Sequence, residues 1–481
     1  MTRQARAAWL LGAALLAPSA LSLHAQVVPA ASQQPAPTAP STAAAKAAFR
    51  NAIFETQNVG GDRAQKQLDA ALAADPQFGL ARIYQAFLST GTAAEREARI
   101  SATLGALNGA SPAEALLAVF WREQAAGRGA AAVPIIKAAA ELAPNDAEIN
   151  YIYANTQRTG KSAAEQVAVL KSFLQRFPKH AAAYNTLAYI LWRTGDRDGT
   201  LAAAQQYAQN APEHPNAHDT FADILLLLGR GQEAIPHVQQ IRRLDPTWPF
   251  AEAKLGAIAL TMGDVKAART HFSTGLTPAT DPADRIDAAY WLVATDLVAK
   301  DTRAAVEQIN RIADVAKSAD VPGAVSLAYD RAAVLEAYVG NRSVVPARLS
   351  AASAAATNNN QKATYQAHAA IALSRLGQGE AARAALAEFT KLGGPADAVP
   401  ALEALLALDA KDYGAAEAAL AKAPSMDVLP RALRAELLMR TGKKAEGEAL
   451  RKEVMNASLK QDGNPGVEFS ALIGRTRLAS L

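Results

Sequence analysis

The sequence predicts an all-α fold, a solenoid of antiparallel helix hairpins, on three observations. Apolar residues recur at helical spacing along most of the chain. No stretch alternates apolar and polar residues over a strand length between two turn signals. Most specifically, seven blocks of 34 residues can be laid end to end from Ala45 to Pro282, opening at 45, 79, 113, 147, 181, 215 and 249. Self-similarity at a fixed period marks a repeat protein, in which each unit buries its apolar face by stacking on its neighbours.

Before the first block, the opening MTRQAR carries Arg3 and Arg6 and is followed by the apolar run Ala7 to Ala17, Pro18 and a small-residue site ending at Ala25. That is the layout of a secretory leader over 1–25. Its eleven-residue apolar run is too short to span a bilayer, which takes about 20 residues. The cysteine count is zero, so no lipid can be attached to a cysteine after the leader and no disulfide can form. Residues 26–44, QVVPAASQQPAPTAPSTAA, are uncharged and rich in Pro, Ala, Ser and Gln, the composition of a disordered tether.

Within the seven blocks over 45–282, side-chain size repeats in phase. Position 8 is small at Ala52, Ala86, Ala154, Ala188, Ala222 and Gly256, with Phe120 the exception. Position 15 is Gly127, Gly195, Gly229 and Gly263, where a helix must end in a positive φ that Gly adopts most easily. Position 20 is small again at Ala64, Ala98, Ala132, Ala234 and Ala268, where a second helix crosses the first. Position 32 is Pro76, Pro144, Pro178, Pro212 and Pro246, which ends one unit and turns into the next.

With small residues at 8 and 20, Gly at 15 and Pro at 32, these blocks resemble tetratricopeptide repeats. The large residue of that pattern at position 4 is met by Tyr184 and Leu116 but not by His218 or Glu252. The resemblance implies a right-handed superhelical array, of about 12 repeats once the remaining chain is included.

After Pro282 the phase is lost while the helical texture continues. Loop markers at Lys300–Asp301, Gly340–Asn341, Gly377–Gln378, Lys411–Asp412 and Gly442–Lys443 divide 283–460 into about five degenerate hairpins. Residues 351–361, AASAAATNNNQ, read as the break between two superhelical segments. The tail 461–481 contains Gly463, Pro465 and Gly466 and reads as a short irregular cap.

Charge and motifs exclude several classes of function. The formal net charge is +4, and losing Arg3 and Arg6 with the leader halves it. Acidic and basic residues are interspersed and form no basic stripe, so nucleic acid is not an expected partner. No Gly-x-Ser-x-Gly, no His-Glu-x-x-His and no cysteine is present, so neither nucleophilic nor metalloprotease chemistry is supported. The segments from Gly229 and Gly377 echo a dinucleotide-binding turn but follow helices rather than strands. His214 and His218, flanked by Glu213 and Asp219, have the spacing of a metal pair. The repeat frame instead puts His214 in a turn and His218 in the next helix. No catalytic residue, metal or cofactor is expected.

In tetratricopeptide repeats the first helix of each unit lines a concave groove through positions 2, 5, 6, 9, 12 and 13. The resemblance carries those positions onto Tyr84, Phe87, Trp121 and Gln124, then onto Tyr151, Asn155 and Arg158. Asn185, Tyr189, Trp192, Arg193, Asp219, Asp223 and Lys254 complete the series. Only 6% of the chain is aromatic, so an aromatic in each of four consecutive units is a concentration. Tyr, Trp and Arg are the side chains that dominate binding hot spots, though the same rings can instead pack between helices.

The two-carboxylate clamp of the family's chaperone-tail binders is absent. Tyr151, Thr186, Asn216 and Thr220 stand at its Lys, Asn and basic positions, and only Asn155 fits. The expectation is an exported bacterial scaffold, periplasmic or secreted, that is not an enzyme. It would bind a protein or peptide in its groove and would not span the membrane once the leader is removed. The alternatives are a structural component of an outer-membrane or polysaccharide-export complex working through its convex surface, and an enzyme with a site in the C-terminal half.

Overall fold

The computed structural model describes residues 42–481 apart from 59, 108, 249–250, 277–281, 425–426, 458, 460–468 and 480. The leader and nearly all of the tether therefore lie outside the described residues. Among the described residues every regular element is helical, with twenty-five α-helices and no strand.

By contacts the chain forms two compact units, one comprising the residues up to Thr194 with Ala202–Ala211, the other Gly195–Leu201 with Pro212–Leu481. In the first unit α1 (Ala43–Gln57) pairs with α2 (Gly61–Ala74), and α3 (Gly79–Leu88) with α4 (Ala93–Thr103). The pairs α5 (Pro112–Ala125) with α6 (Gly129–Leu142) and α7 (Ala147–Arg158) with α8 (Ala163–Arg176) follow. Next come α9 (Ala181–Thr194) and α10 (Arg197–Asn210), whose residues 202–210 complete this unit.

In the second unit α11 (Pro215–Leu227) pairs with α12 (Gly231–Leu244), α13 (Ala251–Thr261) with α14 (Val265–Leu276), and α15 (Pro282–Val298) with α16 (Thr302–Ser318). Then α17 (Pro322–Val339) pairs with α18 (Val345–Ala355), and α19 (Asn359–Arg375) with α20 (Gly379–Lys391). The last pairs are α21 (Val399–Asp409) with α22 (Tyr413–Leu420) and α23 (Val428–Arg440) with α24 (Lys444–Asn456). A single helix, α25 (Phe469–Ala479), ends the chain. First helices pack on the next first helix, as α3 does on α5, α11 on α13, and α17, α19 and α21 each on the one after it.

The turn inside most pairs has one recurring construction. Gly127, Gly195, Gly229 and Gly263 take φ of 76, 82, 74 and 78°. At three of them the next N–H reaches back over the helix end: Arg128 N donates to Glu123 O at 2.9 Å, Arg230 N to Leu225 O at 2.8 Å and Asp264 N to Ala259 O at 2.9 Å. This is the Schellman closure, which satisfies carbonyls that a helix end leaves open. The same closure joins Asp301 N to Asp296 O, Gln378 N to Leu373 O, Asp412 N to Ala407 O and Lys443 N to Leu438 O. At two of these turns the left-handed residue is not Gly but Lys300 (φ 62°) or Lys411 (φ 59°). Those two hairpins keep the turn and lose its Gly, while Gly377 and Gly442 still mark the other two.

Several second helices are started by local polar chemistry. Thr92 with Glu95, and Ser162 with Glu165, form capping boxes at α4 and α8, while Asp301 and Asp412 accept N–H bonds at the starts of α16 and α22. Where the helices of a pair cross, side-chain size decides the fit. Ala52, Ala64, Ala132, Ala188, Ala222, Ala234 and Ala268 are completely buried. A Cβ on Gly256 would lie 2.5 Å from Phe272 Cε1, so the ring on α14 occupies the space a side chain on α13 would need.

Two expectations are corrected. Residues 351–361 are not a break. They hold the end of α18, a short turn, and the start of α19, with Asn358 Oδ1 accepting from Gln361 N at 3.0 Å. The asparagines there are capping chemistry, and the packing of α17 on α19 runs through this point. The chain divides instead between 195 and 212. The tail is not wholly irregular either. Its Gly and Pro precede a helix, Phe469–Ala479, that is buried on nearly every side.

Candidate functional site

In the first unit the residues carried onto the groove separate by depth. Tyr84 and Trp121 join Phe49, Phe78 and half-buried Phe87 in one aromatic cluster. Tyr84 and Trp121 rings lie 4.6 Å apart, Phe87 stacks 6.3 Å from Trp121, and Phe49 meets Phe78 edge-on at 5.3 Å. Tyr84 and Trp121 are 5% and 2% exposed. Burial, partly relieved by a hydrogen bond with Thr56, pushes the Tyr84 phenol far above its ordinary range. These rings tie α1, α3 and α5 together, and of the five only Phe87 is not buried.

Tyr151 is buried too. Its hydroxyl donates to Ala182 O at 3.1 Å and lies 2.9 Å from Thr186 Oγ1, and its ring packs 4.3 Å from His180. It joins α7 to α9, and burial above all raises its phenol pKa.

Asn155, Arg158, Asn185, Tyr189 and Trp192 are half-buried and Arg193 is exposed. Arg158 Nη1 donates to Asn155 Oδ1 at 2.5 Å. Burial holds the Arg158 guanidinium below the usual arginine range; nearby Tyr151 offsets part of this, and the like charge of Arg193 adds to it. Arg158 Nε is buried without a hydrogen-bond partner. Guanidinium groups from α7 and α9 thus share one neighbourhood, the first bonded to the Asn155 amide, and Trp192 directly precedes Arg193 on α9.

In the second unit Asp219, Asp223 and Lys254 come together, but inside the protein. Lys254 Nζ, 1% exposed, lies 3.1 Å from Asp219 Oδ2 and bonds Asp223 directly. Trp248 Nε1 donates to Asp219 Oδ1 at 3.0 Å. Burial opposes the Lys254 charge, yet the two carboxylates outweigh it and hold its pKa above the ordinary value. The cluster clamps α11 to α13. His214 caps α11, with its Nδ1 accepting from Asn216 N at 3.2 Å. His218 contacts Pro212 O at 2.9 Å and His237 Nδ1 at 3.2 Å.

The second unit also holds a site that the repeat positions do not reveal. Arg477 on α25 is 3% exposed and is gripped from three first helices. Its Nε donates to Glu436 Oε2 on α23 at 2.5 Å, its Nη2 lies 2.8 Å from Asp409 Oδ1 on α21, and its Nη1 donates to Tyr338 Oη on α17 at 3.0 Å. A fourth first helix, α19, contributes Ser374, whose Oγ donates to Asp409 Oδ2 at 2.9 Å. At the other end of α25 the Phe469 ring lies 5.2 Å from His368 on α19 and 4.8 Å from the Arg331 guanidinium on α17. The legible signal for this site was the segment FSALIGRTRL, which is apolar around most of its circumference apart from two arginines, as a helix buried on all sides must be.

Among the described residues no three His, Asp or Glu side chains converge on a metal-sized site, and no helix is long and apolar enough to cross a membrane. The hollow lined by Lys46, Phe78, Leu80, Leu107 and Glu114 encloses about 10 Å³, room for roughly one water.

Paired helices with left-handed turns, small residues at their crossings and first-helix stacking make this an all-α fold of repeated helix hairpins, consistent with tetratricopeptide repeats. No protein-family model and no curated protein matches the chain. Among solved structures it is similar to TTC0263, a thermophilic tetratricopeptide-repeat protein of Thermus thermophilus, at 23% identity over 38% of this chain and 99% of that one, with a TM-score of 0.31. It is also similar to a tetratricopeptide-repeat protein of Parabacteroides merdae, at 14% identity over 50% of this chain and 98% of the other, TM-score 0.37. A third is PilW, a type IV pilus biogenesis factor, at 15% identity over 50% of this chain and 94% of that chain, TM-score 0.29.

Proposed function

We propose that the protein is a non-enzymatic scaffold of the bacterial cell envelope that holds a protein or peptide against the first-helix face of its first unit. The observation that carries this reading is the placement of Asn155, Arg158, Trp192 and Arg193. Two guanidinium groups stand there without a carboxylate partner among the described residues, one bonded to the Asn155 amide, and half-buried Trp192 directly precedes Arg193 on α9. A partner segment that brings a carboxylate to the arginines and an apolar side chain to Trp192 meets both needs. Export rests on the leader-like first 25 residues. The alternative of assembly through the outer surface has less to work with. The large exposed apolar side chains among the described residues are Val133, Leu142, Met262, Met455 and Leu481, and only the first two share a helix.

The test is affinity capture from a periplasmic extract, comparing the native chain with an Arg158→Glu, Arg193→Glu, Trp192→Ala variant. Loss of the captured protein with unchanged helical circular dichroism supports the reading. Undiminished capture by the folded variant rejects it.

A further inference from the structure

Helix α25 does not continue the alternation of first and second helices. It lies chiefly on α23, with further contacts to α17 and α24. At Gly474 it approaches α23 so closely that a Cβ there would sit 2.9 Å from Ala432 Cβ. Side chains of α17, α21 and α23 bind its Arg477 directly, and α19 steadies one of them through Ser374.

A helix that merely sealed the end of the array would gain most from an apolar contact. Burying an ion pair is often no better for stability than well-packed hydrophobic residues. Two carboxylates and a phenol converging on one guanidinium discriminate instead, because Glu436 takes Arg477 through two nitrogens, a geometry that lysine cannot reproduce.

The fit of α25 is also incomplete. Arg475 is 6% exposed, its Nε donates to Val454 O at 3.3 Å, and its Nη2 is buried without a partner. Burial alone pulls its pKa down to about 10. An unsatisfied buried donor weakens the seating of the helix that carries it.

We propose that the face formed by α17, α19, α21 and α23 is a receptor for an apolar helix bearing one arginine, and that α25 is a displaceable occupant which such a helix from a partner protein replaces. The partner helix presents an aromatic residue toward Arg331 and His368, an arginine eight residues later toward Glu436, Asp409 and Tyr338, and an apolar residue where α25 has Arg475. The proposal is independent of the reading of the first unit. Its readouts involve second-unit residues only, so its failure leaves capture by Arg158 and Arg193 untouched.

The experiment uses the full chain and a fluorescent synthetic peptide with the sequence of residues 469–481. Fluorescence anisotropy is expected to detect binding, about tenfold tighter for an Arg475→Leu peptide and lost for an Arg477→Ala peptide. An Arg477→Ala chain, whose own helix is loosened, is expected to take up at least about tenfold more peptide than the native chain. Hydrogen exchange on the native chain supplies a second measurement that needs no variant. Amides of α25 are expected to exchange faster than those of α21 and α23, and faster still with excess Arg475→Leu peptide. The proposal is overturned if no peptide binds either chain, or if α25 exchanges with α21 and α23 and the peptide does not accelerate it.

Discussion

The Tyr207 hydroxyl donates to Asn58 Oδ1 at 2.6 Å across 149 residues of sequence, and both side chains are completely buried. Asn58 ends α1, with its own amide nitrogen donating to Phe54 O at 2.7 Å. The first helix of the unit and the last are thereby joined through one oxygen. Tyr207→Phe removes the donor and keeps the ring. We expect a loss of about 1–3 kcal/mol, the penalty for a buried acceptor left without that bond, read from urea unfolding of the native and variant chains. An unchanged midpoint would mean that the contact contributes nothing.

Ala188 is completely buried on α9. Ala188→Leu adds three carbons to a filled crossing and is expected to destabilise by about 1–3 kcal/mol. Differential scanning calorimetry checks it, and a melting temperature equal to the native one would contradict the repeat frame.

Gly256 sets two effects against each other. Replacing a mid-helix Gly by Ala ordinarily gains about 1 kcal/mol of helix propensity. Here the new Cβ would meet Phe272, which is 2% exposed and stacked 4.9 Å from Trp291, so the ring has little freedom to withdraw. We expect overpacking to win, with Gly256→Ala less stable than the native chain in chemical denaturation.

His237 gives a pH dependence with a definite sign. Burial first, and the facing His218 second, lower its pKa from 6.5 to about 4. The folded state therefore holds it neutral, while the unfolded state takes up a proton near pH 6.5. Its contribution to stability is complete above that pH and is lost as pH falls from about 6.5 to about 4. The difference in unfolding free energy between native chain and His237→Gln is expected to shrink over that window. A difference independent of pH would refute the assignment.

Much of the fold was legible because it is local. A left-handed turn needs Gly at little cost, so Gly127, Gly195, Gly229 and Gly263 mark the turn within a pair. Where Lys300 and Lys411 adopt the same conformation, the mark fades although the turn persists. Depth within the first-helix face was less legible. Tyr84 and Trp121 stand at groove positions of the repeat, yet each has aromatic neighbours on adjacent first helices that draw it inward. The contacts of Arg477 with Tyr338 and Asp409, like that of Tyr207 with Asn58, reach beyond adjacent repeats, and a period encodes only the relation of each unit to the next.

The claim that the first-helix face of the first unit does the binding is tested most directly by photo-crosslinking in the envelope extract. A photoreactive residue replaces either Arg193 on the first helix α9 or Gln175 on the second helix α8, both exposed. The account predicts a crosslinked partner from position 193 and none from position 175. Crosslinking from 175 with none from 193 would contradict it.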